Sequence, residues 1–133
     1  MKPWTLAVAL SAVALALACR GSDSEPTNTP QTYQTRSSEG DISFRLTPRV
    51  STPGRLMIDV GADTHSGDLA EVNLQAVVAL HVGGQAYRPV EVSSFVGHHA
   101  EGSVTFDVPD TPDRFAITIA GVRNMKELRF EWP

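Results

Sequence analysis

Three of the four histidines in this sequence of 133 residues lie in two short polar motifs. The first motif is Asp-Thr-His-Ser-Gly-Asp-Leu around His65, and the second is Gly-His-His-Ala-Glu-Gly around His98 and His99. Neutral imidazole is the commonest protein ligand for zinc, copper and nickel, and three imidazoles with one open position suit Zn²⁺ or Cu²⁺. The motifs therefore predict a zinc or copper site, with Asp63 as a fourth ligand or as the acceptor that orients one imidazole.

Two other interpretations of these motifs stay open. Asp, Thr and Ser around His65 build turns by hydrogen bonding to their own backbone, and an imidazole in such a loop can simply satisfy exposed backbone groups. The loops can also contact another ligand or a protein partner. No Ser-His-Asp set is implied, because Ser66 beside His65 in sequence does not establish a nucleophile with an oriented base. We therefore expect a binding module and not an enzyme.

The elements that must position these motifs are β-strands. From Asp41 onward the chain has short alternating apolar runs separated by Gly, Pro, Asp and Asn, with no convincing helical period. Clean alternation in the last three runs favours two antiparallel sheets packed face to face. The predicted fold is all-β: an immunoglobulin-like antiparallel sandwich of about seven strands, with a small barrel as the alternative.

The predicted strands lie at about residues 41–49, 56–60, 73–82, 85–95, 104–108, 115–119 and 128–132. If successive strands run up and down, the loop that holds His65 shares one end of the sandwich with the loop that holds His98 and His99. The loop at 121–125, which follows the sixth strand, joins them there. The fourth histidine, His81, alternates with apolar neighbours in the third strand, and we expect it to face solvent.

The first eighteen residues have the pattern of a secretory signal. Lys2 gives a short positive region, and the apolar run from Leu6 to Ala18 is shorter than the roughly 20 residues that a bilayer span needs. The run ends in Ala-Leu-Ala-Cys at Cys19, which resembles the lipobox of bacterial lipoproteins. That resemblance implies cleavage before Cys19, acylation of its sulfur and amine, and a protein anchored by lipid in the bacterial cell envelope. The alternative is an ordinary secretory cleavage that leaves an unlipidated thiol.

The segment after Cys19 has the composition of a linker. Residues 20–38 contain no aliphatic side chain, so they cannot bury enough apolar area to offset the entropy of ordering. We expect a flexible tether over residues 19–39 and one domain over 40–133. That domain has 8 Lys and Arg against 12 Asp and Glu, a net charge of −4 that argues against nucleic acid as a partner. Since Cys19 is the only cysteine, no intrachain disulfide supports the fold.

The two histidine motifs, spaced by a Gly-Gly hairpin and followed by a closing Phe-Glu-Trp, resemble a group of small exported prokaryotic β-domains. The resemblance covers most of residues 40–133 and implies a shared site without naming its ligand. Those domains often carry Arg after the His pair, where this chain has Ala100. A looser resemblance, of architecture only, is to periplasmic copper-handling sandwiches that bind metal through loop histidines.

Two functional hypotheses follow from the sequence. In the first, a membrane-tethered module holds a divalent transition metal through His65, His98, His99 and Asp63. In the second, the same loops present a surface to another protein of the cell envelope, and the histidines are structural. Metal affinity would fall as the pH drops through the imidazole range, whereas binding to a protein partner would be insensitive to chelator.

Overall fold

The structure is a computed structural model in which residues 31–133 are described. The predicted signal, the predicted lipidation at Cys19 and the first part of the tether lie outside the described residues. The strands are β1 (Gln31–Thr32), β2 (Arg36–Ser37), β3 (Ile42–Thr52), β4 (Arg55–Thr64), β5 (Val78–Val82), β6 (Gln85–Tyr87), β7 (Glu91–Val92), β8 (His99–Asp107), β9 (Phe115–Ile119) and β10 (Leu128–Trp132). Two helical turns, Leu69–Glu71 and Leu74–Val77, precede β5.

The strands form two antiparallel sheets. The first has the order β3-β4-β8-β7, with β1 and β2 both paired with β3, and the second has the order β10-β9-β5-β6. Counted along the chain from β3, these orders correspond to A-B-E-D and G-F-C-C′ of an immunoglobulin-like sandwich. The predicted all-β sandwich is confirmed.

The core lies between the two sheets and follows from the alternation of the strands. Phe44 on β3, Ile58 on β4, Phe106 on β8 and Ile117 on β9 are at most 1% exposed. Burying a side chain of this size contributes about 1.5–3 kcal/mol by removing apolar surface from water. Trp132 near the end of the chain is also buried, at 2% exposed, as its alternation with Phe130 predicts.

The predicted fourth strand is wrong as a single element. It divides into β6 in the second sheet and β7 in the first, and the chain crosses between the sheets at residues 88–90. Pro89 lies at the crossing, where it cannot donate a ladder hydrogen bond. Arg88 supports the crossing by donating from Nη1 to the carbonyl of Ala76 at 2.8 Å.

The start of the predicted third strand is also different. Residues 74–77 form a helical turn, and the strand begins only at Val78. The Asn73 side chain caps this turn by accepting a hydrogen bond from the Gln75 amide at 3.1 Å. Leu74 is buried at 1% exposed and holds the turn against the core.

Residues 31–38, which the composition placed in the flexible tether, instead run along β3. The register pairs Gln31 with Val50 and Arg36 with Leu46. Tyr33 anchors the segment because its hydroxyl donates to the Pro112 carbonyl at 2.7 Å and its ring meets Phe115 edge-on. These contacts add to the pairing with β3 and to the hydrogen bond from Trp132 Nε1 to the Gln34 carbonyl, so the polar segment is held at several points.

The strand directions define two ends of the sandwich. The histidine end comprises residues 64–73, 96–98 and 120–127, and the opposite end comprises the turns at 52–54, 83–84 and 108–114. Within residues 31–133, no helix is long and apolar enough to cross a membrane.

Candidate functional site

Two of the predicted site residues meet directly on neighbouring strands. Asp63 near the end of β4 and His99 at the start of β8 are register partners, and His99 Nδ1 is hydrogen bonded to Asp63 Oδ1. An ionised carboxylate only accepts hydrogen bonds, so the proton lies on Nδ1 and the Nε2 lone pair of a neutral ring is free. The His99 side chain is 83% exposed. His99 is thus a strand residue, not the loop residue that the sequence predicted.

The Asp63 carboxylate lies in a positive environment. The hydrogen bond from His99 lowers the pKa of Asp63 below its ordinary value, partial burial opposes this shift, and the nearby charges of His99, Arg45 and His65 add to it. Arg45 Nη1 is 3.8 Å from Asp63 Oδ2. Asp63 therefore stays ionised over the neutral range and remains an acceptor for the imidazole.

The two histidine motifs are joined through their backbones. The Thr64 amide donates to the His98 carbonyl at 2.9 Å, and the Leu69 amide donates to the Gly97 carbonyl at 3.0 Å. Asp68 completes the junction, because its Oδ1 accepts from the amide of Gly97 at 2.9 Å and from that of Ala70 at 2.7 Å. These two backbone hydrogen bonds lower the pKa of Asp68.

Arg123 connects the third loop to the first motif, as the predicted topology requires. Its Nη1 donates to the Ser66 carbonyl at 2.6 Å, its Nη2 to the Asp68 carbonyl at 2.9 Å and its Nε to Glu71 Oε1 at 3.1 Å. The sequence predicted this loop at the histidine end but indicated no role for Arg123. The feature of the sequence that could have indicated this role is the presence of an arginine in that loop. Its five N–H donors in a fixed fork can bind several carbonyl oxygens at once.

Turn-forming groups other than imidazoles hold these loops together. Thr64 makes a local turn, with its Oγ1 accepting from the Ser66 amide at 3.2 Å. Asp68 accepts from two backbone amides, and Arg123 donates to two backbone carbonyls. His65 and His98 are exposed, and in the described part of the chain neither ring takes part in a hydrogen bond. The fold therefore does not depend on these two imidazoles for its loop structure.

The four predicted metal ligands do not form one cluster. Across residues 31–133, no three His, Cys, Asp or Glu side chains are close enough together to hold a metal ion. His99 pairs with Asp63, the charge of His65 acts on Asp63, and the charge of His98 acts on Asp68.

One row of the first sheet contains Ser43, Asp63 and His99 on three adjacent strands. Asp63 is the middle residue, so the two outer strands are about 10 Å apart by ordinary strand spacing. A nucleophile needs its base within hydrogen-bond reach. This row therefore does not form a Ser-His-Asp site.

No family model, curated protein or solved structure matches this chain. The resemblances to exported β-domains and to bacterial lipoproteins stay predictions.

The fourth histidine lies on another part of the sandwich. His81 Nε2 and Thr118 Oγ1 share a hydrogen bond of 2.9 Å between β5 and β9. His81 lies on the face of β5 opposite to the buried Leu80, as expected, and is half-buried there beside Thr118. Because β5 begins at the histidine end and runs away from it, His81 serves as an internal reference for experiments on the other three histidines.

Proposed function

We propose that this protein is a non-enzymatic binding module, tethered to a membrane of the bacterial cell envelope, which binds a divalent transition metal such as zinc or copper at its histidine end. The observation that carries this proposal is the hydrogen bond between His99 Nδ1 and Asp63. It leaves an exposed imidazole with a defined tautomer and a free Nε2 lone pair.

The pairing of His99 with Asp63 is the arrangement that supports metal-binding histidines. A ligating imidazole usually donates its other N–H to a carboxylate, which fixes the ring and makes the ligating nitrogen more basic. Asp63 then orients His99 and is not itself a ligand. His65 and His98 are the further candidate metal ligands, and water completes the coordination.

The tether is supported by the pattern of the first nineteen residues, and the described chain enters the domain at the end opposite the histidine end. Gln31 pairs with Val50 near the opposite end, and the Ser38 amide donates to the Phe44 carbonyl near the histidine end. An anchor at Cys19 would therefore be attached to the domain at the end opposite the histidine end. The 11 residues of β3 span about 35 Å between the two ends.

The test is a calorimetric titration of Zn²⁺ and Cu²⁺ into residues 20–133, which include the whole described domain. We expect saturable binding that is abolished by His99→Ala and weakened about 10- to 100-fold by Asp63→Asn, which removes the orienting carboxylate. Binding should weaken as the pH falls through the imidazole range, because protons compete for the same nitrogen.

His81→Gln is the matched control, because it removes a histidine away from the site and keeps a side chain that can hydrogen bond to Thr118. The proposal is overturned if the intact domain takes up no metal, or if His81→Gln weakens binding as much as His99→Ala does.

A second candidate function is recognition of another envelope protein. It is favoured by the backbone junction between Leu69 and Gly97 and by the contacts of Arg123, which together hold the loop surface in one conformation. Cross-linking in intact cells distinguishes the two. A partner that is retained in the presence of chelator and lost with a His65→Ala and His98→Ala double variant would support protein recognition over metal binding.

A further inference from the structure

One concave feature of the described domain lies away from the histidine end. It is an open cavity of about 760 Å³ beside the edge strands β2 and β10, near the opposite end. Arg36 and Arg114 line it together with the buried aromatic residues Phe115 and Trp132. Its chemistry differs from that of the histidine end, because its cations are guanidinium groups and part of its wall is apolar.

Arg36 and Arg114 stand apart from the other arginines of the domain. Five arginines form ion pairs with acidic side chains, and a sixth donates to backbone carbonyls; they are Arg45, Arg49, Arg55, Arg123, Arg129 and Arg88. Among the described residues, neither Arg36 nor Arg114 has a carboxylate within 4.0 Å. Both arginines without an acidic or carbonyl partner thus line the same cavity.

The Arg36 guanidinium also has one N–H donor without a hydrogen-bond acceptor in the described part of the chain. Its Nε is buried, and within residues 31–133 it has no hydrogen-bond partner. A buried donor on a charged group without an acceptor is unfavourable, and an oxyanion bound to the other nitrogens of the same guanidinium would offset part of that cost electrostatically. Two acids also line the cavity, but Glu131 is already bound by Arg129 at 2.8 Å. Asp113 is the remaining acidic side chain of the lining, and it forms no ion pair with Arg36 or Arg114 within 4.0 Å.

The aromatic part of the wall has a fixed position. Phe115 and Trp132 are stacked with ring centroids 5.0 Å apart and an interplanar angle of 14°. Trp132 is held by a hydrogen bond of 2.6 Å from its Nε1 to the Gln34 carbonyl. An apolar wall beside cationic donors suits a ligand that has both an anionic and an apolar part.

We propose that this cavity binds a small molecule or headgroup through an oxyanion of the phosphate or carboxylate class. Arg36 and Arg114 hold the oxyanion, and the apolar portion of the ligand lies against the apolar part of the lining, to which Phe115 and Trp132 contribute. This activity is independent of metal binding at the histidine end. The oxyanion belongs either to a soluble molecule or to an anionic lipid. A lipid is a candidate because the cavity lies at the end where the chain enters the domain.

The test uses the fluorescence of Trp132, which is the only tryptophan in residues 20–133. The soluble probes are inorganic phosphate, hexyl phosphate and hexanoate, with hexanol as the uncharged counterpart. Vesicles of phosphatidylglycerol, with phosphatidylcholine as the control, form the lipid arm. We expect a saturable change with the anionic probes or the anionic vesicles, and whichever arm responds identifies the source of the oxyanion.

The variants Arg36→Gln and Arg114→Gln should each raise the dissociation constant at least tenfold. Arg114 is exposed, so its variant keeps the test valid if loss of Arg36 disturbs folding. Arg49→Gln is the matched control, since it makes the same charge change on the outer face of β3. The proposal is overturned if no anionic probe or vesicle gives a saturable response, if hexanol binds as tightly as hexyl phosphate, or if Arg49→Gln weakens binding equally.

Discussion

Asp63 and His99 occupy the same row of the first sheet, and their side chains are joined by a hydrogen bond that ties the ends of two strands together. The carboxylate also faces Arg45. This relationship connects the candidate ligand of the histidine end to the stability of the fold, because the group that orients the imidazole is itself titratable.

The first prediction concerns acid stability. Because the hydrogen bond from His99 lowers the pKa of Asp63 in the folded state, the stabilisation is complete above the unfolded pKa of about 3.9 and is lost as the pH falls through the folded value. Asp63→Asn should therefore lower the stability at pH 7 and flatten the loss of stability below about pH 4. Urea denaturation at several pH values measures both effects, and an unchanged acid slope would contradict the prediction.

The second prediction concerns the loop contacts of Arg123. Lysine keeps the charge but cannot donate to the Ser66 carbonyl, the Asp68 carbonyl and Glu71 at once. Arg123→Lys should lower the free energy of unfolding by about 1–2 kcal/mol. Amide hydrogen exchange should be faster at Leu69 in the variant, since its bond to Gly97 depends on this loop. Unchanged exchange there would show that the loop is held by other contacts.

The third prediction concerns the anchoring of residues 31–38. Tyr33→Phe removes the hydrogen bond to Pro112 and should cost about 1 kcal/mol, and Tyr33→Ala should cost about 2–3 kcal/mol because it also removes the contact with Phe115. Gln34→Ala is the control, since only the Gln34 carbonyl is used, and it should change stability by less than about 0.5 kcal/mol. If the free energy of unfolding in urea is the same for all three variants as for the unaltered protein, the Tyr33 contacts do not stabilise the fold.

The fourth prediction compares two turn glycines with nearly equal φ. Gly54 has φ 80° and Gly84 has φ 82°, a region that costs an L-residue about 1–2 kcal/mol. A Cβ at Gly54 would lie 3.3 Å from the Val108 carbonyl oxygen, whereas one at Gly84 would meet nothing within 4 Å. Gly54→Ala should therefore be the more destabilising of the two in thermal unfolding. A larger loss for Gly84→Ala would contradict this ranking.

Local pattern in the sequence was sufficient for the fold class and for the meeting of the histidine motifs. Alternating apolar residues dictate which face of each strand is buried, so Phe44 and Phe106 were identifiable as core positions. Antiparallel alternation brings the loops around His65 and His98 to one end. The two loops still meet although the predicted fourth strand is divided, because β6 and β7 run in the same direction.

Tertiary structure alone decided how the residues at that end are used. The register of β4 with β8 places His99 beside Asp63 and keeps the predicted ligands from forming one cluster. The order of residues 31–38 depends on Tyr33 contacting Pro112, 79 positions away, and the loop surface depends on Arg123 reaching Ser66, 57 positions away. Periodicity reports only which face a residue occupies. The partner that it meets there depends on how distant segments align, and that is set by the packing of the whole core.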